Sequence, residues 1–259
     1  MLDKSLFICY STPNYTKLTN LFLDSLQSIH VTRIEHLLDN PDAELLKQTG
    51  FRTDLWYYSV RNKIQHLINI LHKYTLSTDI HYFIFTDCDI IYKNNITEWY
   101  NLEKYIHTTD KDIYFMRENT SERVNSGFFI MKNHNIQNMI DFFTEVLETM
   151  DNTDKNDMFL GDQTVINNLK PKLNYDFIPN SYVIFGTDIY DIHKALFHHA
   201  VWCKDVDEKI KQIEYINVLV KYKPLYKVIQ LVSPAITAIK TCIMRCHRFI
   251  CTTLLNFKV

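Results

Sequence analysis

The sequence predicts an α/β domain built on a mixed, mostly parallel sheet flanked by helices. Three observations carry this expectation. Short apolar runs of strand length alternate with helical patterns through the first half of the chain. Hydrophobic residues make up 46% of the 259 and charged ones 22%, the balance of a globular domain with a sizeable core. In one stretch, FIFTDCDIIY (Phe83 to Tyr92), two aspartates interrupt what otherwise reads as a buried strand.

The elements follow in chain order. LFICYST (Leu6 to Thr12) is an apolar run that ends in a polar loop at Pro13, and it reads as the first strand. Residues 16 to 29 place Leu18, Phe22, Leu26 and Ile29 at helical spacing. Ile34 to Leu38 reads as a second strand. Asp54 to Tyr74 is a longer helix, with Leu55, Val60, Ile64, Leu67, Ile68 and Leu71 on its apolar face. After FIFTDCDIIY comes a helix over Trp99 to Ile106. DIYFMRE (Asp112 to Glu118) and VNSGFFIMK (Val124 to Lys132) are strand-like. Ile136 to Met150 is an amphipathic helix, and residues 160 to 169 form another that opens on Gly-Asp. YDFIPNSYVIF and KALFHHAVW close the series with further strands.

Composition narrows the functions open to this chain. Its net charge of −2 provides no field for nucleic acid. With 4 glycines it has neither GxGxxG nor GxxxxGK[ST], so a phosphate must be held by a metal or by basic side chains. The six cysteines form no CxxC pair, and no apolar leader precedes residue 5. Both features lead us to expect a cytoplasmic protein with free thiols.

The C-terminal stretch has a different composition. After Glu214 there is no acidic residue, while seven of the chain's 28 basic residues fall there. The first 214 residues therefore hold 21 basic against 30 acidic residues, a net −9. We expect a domain over residues 1–220 and a basic amphipathic helical tail over 221–259. Val228, Leu231, Val232, Ile236 and Ile239 would form an apolar stripe kinked by Pro234. The stripe is too short to span a bilayer. Such a tail suits the surface of an anionic membrane, or packs on the acidic domain.

FIFTDCDIIY raises the chemical question. In an open α/β sheet, ligands bind beyond the carboxyl ends of the strands. YFIF is the strand, and TDCD lies where it emerges. Residues i and i+2 of an extended segment face one side, and two carboxylates held close repel unless a cation is near. Asp87 and Asp89 therefore point to a divalent metal with hard oxygen ligands. Three more segments add candidates. NSGFFIMK feeds a polar triplet into a strand, and Gly127 permits close approach. GDQTVIN puts Asp162 and Gln163 at a helix N-terminus, where Asp162 is also a natural cap. FHHAVW offers His198 and His199, of which strand alternation turns one into the site.

In this order, FTDCDIIY, VNSGFFIMK, GDQTVINN and HHAVWCKDVDEKIKQI resemble the nucleotide-diphospho-sugar transferases. These are GT-A-fold glycosyltransferases near glycosyltransferase family 77, and the resemblance covers residues 5 to 215. It implies a GT-A-like domain that moves a sugar from a nucleoside-diphosphate sugar, a UDP-sugar foremost, to a glycan, protein or lipid acceptor. It also implies Mn²⁺ or Mg²⁺ on Asp89 and His199, with Asp87 on the metal, ribose or donor sugar, and His198 in place of His199 if the register is one off. Arg61 and Lys63 would lie near the phosphates, and Tyr10, Ser11 and Thr12 would line the nucleoside pocket. Arg117, Asn125, Asp162 and Gln163 would contact the donor sugar. The resemblance favours retention of configuration. Its histidine segment departs from the family's usual His-Ala-Asn, reading His199-Ala200-Val201, with Lys204-Asp205 where a glycine would fall. The other class of function open to such a chain is a non-catalytic nucleotide-sugar-binding module.

Overall fold

The structure, a computed structural model, describes residues 1–222 except 49, 51 and 154–160. The chain divides into two units, Met1–Ile213 and Glu214–Val259. The apolar stripe expected in the tail lies outside the described residues.

The first unit opens with strand β1 (Ser5–Ser11), helix α1 (Thr16–Ser28), β2 (Ile34–Leu38), a single turn α2 (Ala43–Leu46) and α3 (Asp54–Lys73). Strand β3 (Tyr82–Thr86) and the short β4 (Ile90–Tyr92) follow, then α4 (Ile96–Thr108), β5 (Ile113–Arg117) and β6 (Val124–Lys132). Next are α5 (Ile136–Asn152), α6 (Asp162–Leu169), β7 (Tyr175–Phe177), β8 (Val183–Phe185), β9 (Asp188–Ile189) and β10 (Phe197–His199). Helix α7 (Val206–Lys221) begins in the first unit.

Six strands form the main sheet in the order β2-β1-β3-β6-β5-β7. All pairings are parallel except the two made by β6, so five of the six strands run one way. This is the mixed, mostly parallel sheet the sequence predicts. The inner strands β1, β3, β5 and β6 read as largely apolar runs because both of their faces are covered. Leu6, Ile8, Phe83, Phe85, Phe129 and Met131 point to one face, against the apolar sides of α3, α5 and α6. Phe7, Cys9, Tyr82, Ile84, Phe128 and Ile130 point to the other, against α1, α4 and a second sheet. Phe129 stacks between Phe85 at 4.9 Å and Phe143 at 5.2 Å. Burying such a ring contributes about 1.5–3 kcal/mol.

The second sheet has the order β4-β10-β8-β9. FIFTDCDIIY is thus not one strand. It leaves the main sheet at Thr86, turns through Asp87-Cys88-Asp89, and enters the second sheet at Ile90. The turn closes with Ile90 N donating to Asp87 O at 3.2 Å. The acidic pair therefore lies at the junction of the two sheets.

Candidate active site

Backbone pairing places the two aspartates. Thr86 lies opposite Phe128 in the β3–β6 register, so Asp87 falls beside Gly127, and Asp87 N donates to Gly127 O at 2.8 Å. On the second sheet His199 lies opposite Ile90, and Ala200 N donates to Asp89 O at 3.0 Å. Strand β10 thereby delivers His199 to Asp89. Between the aspartates, Cys88 points inward and its thiol donates to Tyr10 O at 3.3 Å, which ties the turn to β1. Ligand atoms of Asp87, Asp89 and His199 all lie within 4.8 Å of one another. The convergence comes from the turn, not from the i, i+2 alternation of a strand.

His198 faces away, as alternation requires. It is fully buried, with Nε2 2.9 Å from the carbonyl of Gly186 and 3.3 Å from Gln212 Oε1. Burial pushes its imidazole down to about 3, so it stays neutral. His199 is therefore the histidine at the cluster.

Two lysines balance the acids. Lys63, in the middle of α3 and 7% exposed, lies 3.2 Å from Asp87 Oδ1 and 2.8 Å from Asp162 Oδ2. The second contact is an ion pair by distance, at an angle outside hydrogen-bond geometry. Lys209, on the first turn of α7, pairs with Asp89 Oδ2. Burial works against both ammoniums, but the carboxylates outweigh it and hold them above the usual lysine range. Burial likewise works to raise Asp89, yet Lys209 and His199 keep it well below the usual carboxylate range. Desolvation lifts Asp87, against the pull of Lys63 and with the push of Asp89. Three carboxylates and two ammoniums give the cluster a formal −1 from its acids and lysines.

The donor set fits a hard divalent cation. Asp89 Oδ1 and His199 Nδ1 are buried without a hydrogen bond, and His199 Nε2 lies 3.3 Å from that carboxylate oxygen; a buried oxygen so weakly satisfied gains from a cation. Gly127 keeps the space open. A Cβ there would stand 2.9 Å from His199 Cε1 and 3.0 Å from Asp87 Oδ2.

Residues 22–213 match the family described as nucleotide-diphospho-sugar transferase, a span well over half of the chain. The chain belongs to that family. No curated protein matches it. Among solved structures it is similar to a glycosyltransferase involved in the glycosylation of the major capsid of PBCV-1. They share 15% identity over 81% of this chain and 98% of that one, with a TM-score of 0.57. It is also similar to the glycosyltransferase GlyE of Streptococcus pneumoniae TIGR4, at 12% identity and a TM-score of 0.50. That match covers 88% of this chain and 64% of GlyE. At such identities the likeness speaks for the fold, which is of the GT-A type.

The transferase family's expected residues are partly gathered at this cluster. Asp162, 3% exposed, is the first residue of α6, and Gly161 rather than Asp162 is the cap. Trp56 presses on that glycine, with Cη2 2.5 Å from where a Cβ would be. Gln163 donates to Glu118 Oε2 at 2.8 Å and accepts from Ser126 N at 3.3 Å. Asn125 Oδ1 accepts from Gly127 N at 3.0 Å. Tyr10 donates to Asp39 Oδ2 at 2.7 Å, and Thr12 is buried just beyond β1. Three residues are committed elsewhere. Arg61 makes a two-point pair with Asp151 at 2.7 and 2.8 Å, because two residues along a helix from Lys63 is its other side. Arg117 stacks on Phe177 and pairs with Glu122. Ser11 Oγ lies 2.8 Å from His36 Nε2, on the strand face opposite to Tyr10.

Sequence reasoning missed Lys209, Asp39 and Asn62, which donates to Asp39 at 3.1 Å. It also missed Tyr15, whose phenol feels the charges of Lys209, Asp89 and Asp87. In the run DEKIKQI, Lys209 looks like any residue of a solvated helix face, and only the fold singles it out.

Proposed function

We propose that this transferase is divalent-metal-dependent and moves a sugar from a nucleoside-diphosphate sugar, a UDP-sugar foremost, to a hydroxyl of a glycan, protein or lipid, with retention. The observation that carries the reading is the junction of Asp87, Asp89 and His199, whose ligand atoms lie within 4.8 Å of one another, with Asp89 Oδ1 buried and lacking a hydrogen bond.

Asp89 and His199 would hold Mn²⁺ or Mg²⁺, with Asp87 on the metal or on the donor's ribose or sugar. A bound divalent ion supplies Lewis acidity at the leaving diphosphate. It also turns the cluster from a formal −1 to +1, a field that suits a diphosphate. The protein's own groups do the rest. Lys209 keeps Asp89 ionised and oriented, and Lys63 does the same for Asp87 while holding Asp162 beside it. Asp162, Gln163 and Asn125 line the donor-sugar side. Tyr10, Thr12 and the Asp39–Asn62 pair form the nucleoside side. In retaining transfer the departing phosphate accepts the acceptor hydroxyl's proton, and Asp162 steadies the oxocarbenium-like charge at the anomeric carbon. We assign these roles to residues 1–220. We assign peripheral attachment at an anionic membrane surface to the basic tail, 221–259. No helix among the described residues is long and apolar enough to cross a membrane.

The test is a thermal-shift panel of nucleoside diphosphates and their sugars with Mn²⁺, with Mg²⁺ and with chelator, alongside an assay of sugar transfer and donor hydrolysis. UDP with metal should raise Tm and chelator should remove the effect. Asp89→Asn, which keeps the shape beside Lys209, should lose both the metal-dependent shift and turnover. His199→Ala should weaken the metal dependence more than His198→Ala. Equal stabilisation by UDP with and without metal would sink the metal-bridged reading.

A further inference from the structure

We propose that Trp202 is a sugar-binding platform beside the carboxylate cluster, its exposed indole receiving the apolar C–H face of an acceptor pyranose; this deepens the transferase reading and rests on it.

Three observations point there. First, the backbone at Trp202 is left-handed, with φ of 59°. That region belongs to glycine, and a bulky L-residue is strained in it. The glycine-like position of this segment is thus Trp202, not Lys204 or Asp205. Second, Trp202 is 65% exposed, whereas Trp99 is 2% exposed. The chain therefore holds a strained backbone around its largest kind of side chain with little burial in return. Third, the ring is seated. Phe185 meets it edge-on at 5.1 Å, and Gly186 lies under it so closely that a Cβ there would stand 2.9 Å from Trp202 Cε3. Gly186, itself at φ 63°, has no side chain to displace the ring.

Position supplies the ligand class. Phe185 also meets His199 edge-on at 5.6 Å, so Trp202 is one aromatic ring removed from the cluster. It is reached through His199 and the second sheet. The nucleoside side, Tyr10 with Asp39, is reached through β1 and the main sheet. With the nucleoside placed at Tyr10 and Asp39, as proposed above, Trp202 is left for another flat partner. The negative face of an indole attracts the weakly positive C–H groups of a pyranose, and a pre-seated ring loses little entropy when a sugar docks on it.

The experiment uses the full chain and methyl glycopyranosides of glucose, galactose, mannose and xylose, with binding read by saturation-transfer NMR on the glycoside. At least one should bind wild type. Trp202→Ala should weaken it about tenfold, the worth of one aromatic contact. Trp202→Phe should retain more binding than Trp202→Ala, and Gly186→Ala, which unseats the ring, should weaken it. Trp202→Gly should melt about 2–4 °C above Trp202→Ala, since only glycine relaxes the backbone. UDP with Mn²⁺ is measured on the same variants. If wild type binds no glycoside, or Trp202→Ala binds as well as wild type, the platform is wrong, and an intact UDP–Mn²⁺ shift would leave the transferase reading standing. Glycoside binding at Trp202 without any UDP–Mn²⁺ shift would keep the platform and overturn the donor reading.

Discussion

Replacing Lys63 with methionine removes the cation that lies between Asp87 and Asp162 and leaves a similar volume. Two carboxylates are then left close together, Asp162 buried and Asp87 half-buried. Breaking a buried pair from one side costs about 3–5 kcal/mol. A divalent ion then has more charge to neutralise, so Mn²⁺ should raise the melting temperature of Lys63→Met by more than it raises that of wild type. Calorimetric scans of both proteins with and without Mn²⁺ check this, and an equal or smaller increment would mean that Lys63 does not share the ion's work. The aspartates were legible in the sequence because two acids in an apolar run contradict their surroundings. Their partners were not. Lys63 was singled out by resemblance alone, and Arg61, two residues away, looked equally suited until the helix turned it to Asp151. Asp89 is 9% exposed and paired with Lys209, a partner 120 residues away that no local pattern announces.

At the level of elements, the decisive piece is the three-residue turn between β3 and β4. In FIFTDCDIIY the sequence ends the strand at TDCD, but both halves are apolar and nothing marks IIY as a strand of another sheet. No local signal says that they belong to different sheets, since that depends on β10 pairing with β4 from more than a hundred residues away. The longer elements were legible. Ile34 to Leu38 and Val124 to Lys132 are strands with the expected bounds, and α3 ends one residue before the expected Tyr74. The turn also makes Gly127 indispensable. Gly127→Ala would push a methyl toward His199 and Asp87. Its φ is not left-handed, although β6 slips register against β5 there, so overpacking should cost the fold only about 1–3 kcal/mol. Metal binding should fall much further. Titrating Mn²⁺ into wild type and Gly127→Ala by calorimetry measures this, and unchanged affinity would show that the strand does not crowd the ligands.

For the whole molecule, charge is divided along the chain, with −9 in residues 1 to 214 and seven basic residues after them. If the tail seeks an anionic surface, full-length protein should float with anionic liposomes and stay down with neutral ones. A protein ending at Tyr222 should remain in solution and still bind UDP with Mn²⁺. Unfolding of the shortened protein would instead make the tail part of the domain's support. The order of elements and the α/β class were legible because hydrophobic periodicity is local. The split into two sheets was not, because it is a property of distant pairings. That split also dates the site within folding. The Asp89–Lys209 pair joins residues 120 apart in sequence, and closing so long a loop comes late for a growing chain. A polypeptide still leaving the ribosome could hold β1, β3 and β6 in register and yet have neither His199 nor Lys209 in place. Metal capture would then report that residue 209 has emerged and docked, and a chain cut short before it would carry the acidic turn without the power to use it.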